Sequence, residues 1–189
     1  MLFRSDRQQA RTELGLPTDA TLVGFVGRLT GIKRPDRFVR VAAAVSNATF
    51  VVVGNGPLKE QTVRDASSLN NVIFLDWCDD VSLVLGALDA VVLTSDNEGV
   101  PLSLIEAASA GVPVVSTDVG SVREIVEHGK TGFVVNDERA LAEAVSRLVD
   151  DTTLRRSMGE HAVAHIAQRC SMQAYLDAHT ALYERLTCA

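Results

Sequence analysis

The sequence predicts an α/β protein: a doubly wound, six-stranded parallel sheet, Rossmann-like, with further helices at its C-terminal end. Three observations predict it. Apolar runs of four to six residues, rich in Val, Phe and Ile, recur without polar alternation, as strands covered on both faces require. Segments with helical apolar spacing separate them. Strand–helix repetition of this kind closes through right-handed crossovers into a doubly wound sheet. At 189 residues the chain is long enough to bury one core without disulfides or metals.

In chain order, strands are expected at Thr21–Val26, Thr49–Val53, Val72–Leu75, Ala90–Leu93, Val112–Val115 and Gly132–Val135. Helices are expected between them at Pro35–Val45, Leu58–Ser67, Val81–Gly86, Pro101–Ala110 and Val122–Glu127. After Val135 no further strand is expected. Glu138–Val149, Thr153–Arg169 and Met172–Thr187 read as helices, the first capped by Asn136 or Asp137. The polar segment 1–20, ending in "LGLPTDAT", reads as a linker with a short lead-in helix and turn.

Composition narrows the function. A net charge of −6 argues against a nucleic-acid surface while leaving room for a small anion held locally. Cys78, Cys170 and Cys188, odd in number and far apart, suggest reduced thiols in the cytoplasm. No apolar run approaches the roughly 20 residues that span a bilayer, and "MLFRSDRQQ" lacks a signal-peptide core. No basic amphipathic stretch marks a membrane surface. His161 and His165, one helical turn apart, lack further ligands nearby in sequence and read as a helix surface, as do His128 and His179. No metal site is expected.

Ligands of an open parallel sheet bind beyond the carboxyl ends of its strands, and the unusual residues fall there. The first four strands run into "GRLTGIK", "GNGP", "DWCDD" and "TSDNEG". Arg28 can fork onto phosphate oxygens and Lys33 can act as a point charge, a pair suited to a diphosphate; two solvated surface cations are the equal alternative. In Gly54–Pro57 the glycines would let backbone approach a ligand, or simply make a turn.

Gly99 and Pro101 open a helix whose first-turn N–H groups form an anion site. Along it Ser103, Glu106 and Ser109 make a narrow polar stripe among Leu, Ile and Ala. An ionised Glu106 there needs hydrogen bonds: a buried ion pair would supply them, and so would the two adjacent hydroxyls of a ribose. Glu98 and Glu106 as a glycosidase pair are disfavoured. Eight helical residues span roughly 12 Å, against about 5–9.5 Å for that chemistry. Their separation suits one long ligand gripped at two places.

The stretches "VGRLTGIKRPD" (Val26–Asp36), "VVVGNGP" (Val51–Pro57), "IFLDWCDD" (Ile73–Asp80), "SDNEGVPLSLIEAASAGVPVVSTDVGSVREIV" (Ser95–Val126), "GKTGFVV" (Gly129–Val135) and "ALYERL" (Ala181–Leu186) together resemble the retaining glycosyltransferases of the GT-B fold, family 4. Glu98 and Glu106 stand as the two acids of that family's E-x7-E pattern. The resemblance covers nearly the whole chain in order and spacing. It implies two Rossmann-like domains with the active site between them, of which this chain is similar to the C-terminal, donor-binding one. Residues 21–170 would be the nucleotide-sugar-binding domain, and 171–189 a helix crossing toward an N-terminal, acceptor-binding domain that has no counterpart here. It further implies that Arg28 and Lys33 grip the diphosphate of a UDP- or GDP-linked hexose, that Glu98 contacts the transferred sugar and that Glu106 holds the ribose. The backbone of Gly99, Val100, Pro101 and Leu102 would face sugar and phosphates. The base would lie near Trp77, Cys78, Asp79 and the Gly54–Gly56 turn, beside Gly27. Retention of configuration, with no cofactor and no metal, is the implied chemistry.

Two positions depart from the family pattern. Pro101 replaces a glycine and removes an N–H donor, which should alter how the sugar is held. Ser121 replaces a second glycine, which should matter little. A non-catalytic nucleotide-sugar binding module, or a subunit completed by a partner chain, is the alternative from another class. A sugar-nucleotide epimerase or a pyridoxal-dependent phosphorylase would need acids, histidines or a lysine motif that the sequence lacks.

Overall fold

A computed structural model describes residues 7–187. Cys188 and the first six residues of the 1–20 segment lie outside them. Six parallel strands form one sheet in the order β3-β2-β1-β4-β5-β6: β1 Leu22–Val26, β2 Thr49–Val53, β3 Val72–Leu75, β4 Ala90–Leu93, β5 Val114–Thr117 and β6 Gly132–Val135. The chain winds outward from β1 to β3, then returns to the other side of β1. That reversal places a topological switch point between β1 and β4, where a crevice opens beyond the strand ends.

Helices α2 (Pro35–Ala44) and α7 (Glu138–Asp150) cover one face; α1 (Arg7–Glu13), α4 (Val81–Ala87), α5 (Leu102–Ser109) and α8 (Thr152–Arg169) cover the other. Short α3 (Lys59–Asp65) and α6 (Val122–Ile125) complete the crossovers. Phe38 of α2 is fully buried between Phe25 of β1 and Phe50 of β2, with ring centroids 5.6 and 5.4 Å away. Offset aromatic contacts of this kind fix how α2 sits on the sheet. Edge strand β3 is only partly buried along its length.

Five of the six strands lie within a residue of the expected positions. β5 is shifted two residues onward. Pro113 cannot donate to a ladder, and Val112 N–H instead closes the end of α5 on Ala107 O at 2.9 Å. The strand continues through Ser116 and Thr117, whose hydroxyls bond backbone carbonyls. Asp137 caps α7, accepting from Ala140 N at 2.8 Å.

The lead-in helix α1 packs against α4 and sinks an arginine into the fold. Arg11, 4 % exposed, meets Asp89, 6 % exposed, at 2.7 Å. Helix α9 (Met172–Thr187) has no buried residue. It presents Met172, Tyr175, Leu176, Leu182, Tyr183 and Leu186 to solvent, an apolar stripe at helical spacing. Among the described residues no helix is long and apolar enough to cross a membrane.

Candidate functional site

The loops after β1 and β4 are stitched together across the switch point. Asp96 N–H donates to Ile32 O at 2.8 Å, and the buried Thr94 hydroxyl reaches the carbonyls of Lys33 and Arg34. Here Lys33 Nζ meets Glu98 Oε1 at 2.6 Å, and the buried Ser95 hydroxyl donates to the same oxygen. Glu98 is nearly buried while Lys33 keeps 27 % of its side chain exposed. A paired carboxylate can be buried at tolerable cost. An ammonium with three donors can hold it and still face a ligand.

Arg28 is exposed and has no hydrogen bond or ion pair among the described residues. The same holds for Glu106, half-buried on α5. In the polar stripe Ser109 bonds back to Ile105 O at 2.7 Å, so only Ser103 and Glu106 remain open. No buried ion pair absorbs Glu106, and its charge is not spent on holding the fold.

Helix α5 starts at Leu102, with Pro101 as its N-cap. Glu98 therefore stands in the loop before the helix, and the two acids are not separated by a continuous helical rise. The 12 Å spacing expected from such a rise does not apply. Leu102 and Val100 are two-thirds and three-fifths exposed, as are Ile32 and Trp77 to a similar degree, so the loops at the carboxyl ends of the strands carry exposed apolar side chains beside their charges.

The glycines after β2 serve the protein's own backbone. Gly27 N–H donates to Val53 O and Leu29 N–H to Asn55 O, both at 3.0 Å, which zips the β1 and β2 loops together. Gly54 has φ +134, and a Cβ there would stand 2.1 Å from Gly27 O; at Gly56 a Cβ would crowd Leu29 O in the same way, at 2.4 Å. The close approach expected toward a ligand is made first to the loop holding Arg28. Gly54→Ala should therefore destabilise by about 2–4 kcal/mol, since backbone cannot yield as a side chain can; urea unfolding followed by circular dichroism checks it.

Beyond β3 the indole of Trp77 donates to Asp79 at 2.7 Å, the Cys78 thiol reaches Asp80 O, and Asp80 caps α4. These residues share the carboxyl edge with the rest. Gly54 N–H, 3.5 Å from Leu75 O, makes the link to β3.

Sequence reasoning missed several residues. A concavity of about 460 Å³ opens at the ends of β4, β5 and β6, lined among others by Arg34, Arg37, Ser95, Asp96 and Asp118. It shares Ser95 with the Glu98 contact but includes neither Lys33 nor Glu106. Arginines and acids in and around it are paired. Arg34 forks onto Asp36 and bonds Asp96, Arg37 meets Asp96 at 2.7 Å, and Arg123 forks onto Asp118. The Arg34 guanidinium holds the Asp36 carboxyl down to about 2. Arg34 is also the only non-glycine with positive φ among the described residues. The "KRPD" string gave no signal for it, since a following proline ordinarily favours an extended residue at Arg34.

One histidine expectation changes. His165 is not on the surface: its side chain is 19 % exposed, Nδ1 lies 4.0 Å from Glu127, and Nε2 is buried with no partner among the described residues. His128 is exposed, as expected, while it accepts from Val134 N–H at 3.1 Å and packs on Phe133. Among the described residues no group of His, Cys, Asp and Glu could hold a metal. Cys78 and Cys170 are free thiols.

A match to the family described as Glycosyl transferases group 1 runs over residues 6–165. The chain belongs to this family. Curated relatives include N-acetyl-alpha-D-glucosaminyl L-malate synthase of Bacillus anthracis, 28% identical over 96% of this chain and 50% of its own length. D-inositol 3-phosphate glycosyltransferase of Corynebacterium jeikeium is 32% identical over 96% and 48%. The chain spans about half the length of the curated relatives it matches. Among solved structures, sucrose-phosphate synthase from Thermosynechococcus elongatus superposes with a TM-score of 0.86 at 26% identity, over 98% of this chain and 50% of that one. HepE of Anabaena, solved with UDP and glucose, gives 0.83 at 25% identity over 100% and 54%. The C-terminal domain of a group 1 protein from Francisella tularensis gives 0.78 at 24% identity over 90% of this chain and 96% of that one. The fold is that of the C-terminal half of a GT-B glycosyltransferase.

Proposed function

We propose that the chain is the donor-binding half of a retaining glycosyltransferase. It holds a UDP- or GDP-linked hexose at the β1/β4 switch point for transfer to an acceptor carried by the other half. One observation carries the reading: at a single sheet edge, Arg28 and Glu106 stand without partners among the described residues beside a Lys33–Glu98 pair at 2.6 Å. The presence of UDP in the HepE structures supports a uridine nucleotide.

In this reading Arg28 forks onto the diphosphate, and Lys33 keeps Glu98 on one N–H while offering others to phosphate oxygen. As the bond from the anomeric carbon to the diphosphate breaks, negative charge gathers on the leaving oxygen. Arg28, Lys33 and the free N–H groups before α5 stabilise it, each worth on the order of 3 kcal/mol. Glu98, positioned by Ser95 and Lys33, meets the hydroxyls of the transferred sugar, and Glu106 accepts from both ribose hydroxyls. Positive charge comes from side chains, and the reading calls for no metal or cofactor. The exposed stripe of α9 and the exposed Ile32, Val100 and Leu102 are surfaces for the other half. The full protein works in the cytoplasm, meeting any membrane through that half.

Thermal unfolding of this chain with UDP, GDP and their hexose conjugates tests the proposal. One nucleotide series should raise the midpoint, with a gain of about 2.7 kcal/mol at a hundredfold excess over Kd. No response to any of them sinks the proposal. In the responding series the ribonucleotide should be preferred to its 2′-deoxy form about tenfold, and Glu106→Ala should erase that preference. A preference that survives removes Glu106 from the ribose.

A further inference from the structure

The turn between β5 and α6 touches the Glu98 loop at two successive peptides. Gly120, at φ +53, lies against the Glu98 carbonyl so closely that a Cβ would stand 1.8 Å from the oxygen. The next residue, Ser121, gives both its hydroxyl, at 2.5 Å, and its N–H, at 3.2 Å, to the Gly99 carbonyl. Ser121 stands at the N-cap of α6, a position where serine commonly caps, yet it makes no cap bond there. Its hydroxyl is committed to the neighbouring loop instead.

We infer that Ser121 is a positioning residue for the donor: by holding the Gly99 carbonyl it turns the N–H groups of Gly99 and Val100 toward the β-phosphate and sugar. The inference rests on the donor-site reading above. In a planar trans peptide the N–H points opposite the C=O. With the Glu98 and Gly99 carbonyls both facing the β5–α6 turn, the N–H groups of Gly99 and Val100 face away from it. Among the described residues neither has an acceptor. They stand just before α5, whose next backbone nitrogen, in Pro101, carries no hydrogen. A loop that has lost one donor to proline thus has its remaining two aimed by a hydroxyl.

The test compares Ser121→Ala and Ser121→Thr with wild type in calorimetric binding of UDP and UMP, and of GDP and GMP. Because the hydroxyl acts where the second phosphate sits, Ser121→Ala should weaken the diphosphate about fivefold, the effect of one neutral hydrogen bond, and leave the monophosphate within twofold. Ser121→Thr, which keeps the hydroxyl, should restore the diphosphate-to-monophosphate ratio. Wild-type binding with a ratio that Ser121→Ala leaves unchanged, or with equal weakening of both ligands, overturns the inference alone. A wild-type protein indifferent to both diphosphates overturns the donor reading and this inference with it.

Discussion

Replacing Asp89 with alanine should cost the fold about 3–5 kcal/mol, the usual penalty for stranding one member of a buried ion pair. Asp89 precedes β4 at the amino ends of the strands. One carboxylate oxygen accepts from Arg7 at 2.7 Å; the other accepts from Arg11 at 2.7 Å and from Leu22 N–H at 2.8 Å. Arg11 spends its remaining donors on the carbonyls of Ala87, Thr18 and Ala20. Without the carboxylate, Arg11 keeps its charge in a site 4 % exposed to water, and the first N–H of β1 loses its acceptor. Urea unfolding should show a lower midpoint at unchanged slope. Arg7→Ala, at the end where the arginine is 55 % exposed, should cost under about 1 kcal/mol. An Asp89→Ala penalty as small as that of Arg7→Ala would mean that solvent reaches the pair. Because the pair lies at the sheet edge opposite the candidate site, nucleotide affinity of the folded variant should be unchanged.

How far the sequence carried this fold depends on which force sets each element. Strands buried on both faces declare themselves by apolar content alone, and β2, β3, β4 and β6 were legible to the residue. β5 was misplaced because Val112 looks like strand, while its N–H is claimed by the end of α5. Loop residues were legible by chemistry but not by partner. Composition picks out Lys33 and Glu98 as a cation and an acid at strand ends. Their direct contact, and the Ser95 hydroxyl beneath them, arise from two loops far apart in sequence meeting across the switch point. The glycines of "GNGP" show the converse. Their presence signals close approach, but the approaching group is the β1 loop, which only the assembled sheet identifies. Arg11 and Asp89 were invisible as a pair, since a polar lead-in segment offers no periodicity that marks one arginine as buried.

Arg28→Ala and Lys33→Ala should each weaken nucleoside-diphosphate binding by about 2–3 kcal/mol, roughly 30- to 150-fold, with little change for the nucleoside. The two substitutions should differ in what they leave behind. Arg28 has no partner among the described residues, so its removal takes away a phosphate ligand and leaves stability within about 0.5 kcal/mol. Lys33 neutralises Glu98, whose side chain is only 9 % exposed. Its removal strands that carboxylate with the Ser95 hydroxyl alone, so Lys33→Ala should also lower stability by about 1–3 kcal/mol. Lys33→Ala with Glu98→Gln should recover the stability but not the diphosphate affinity, because a neutral amide needs no counter-charge yet offers none to phosphate. Calorimetry with UDP, GDP and their nucleosides, alongside urea unfolding, separates these outcomes. Equal losses for nucleoside and diphosphate would take both cations off the phosphates. A Lys33→Ala variant as stable as wild type would show that Glu98 finds water on its own.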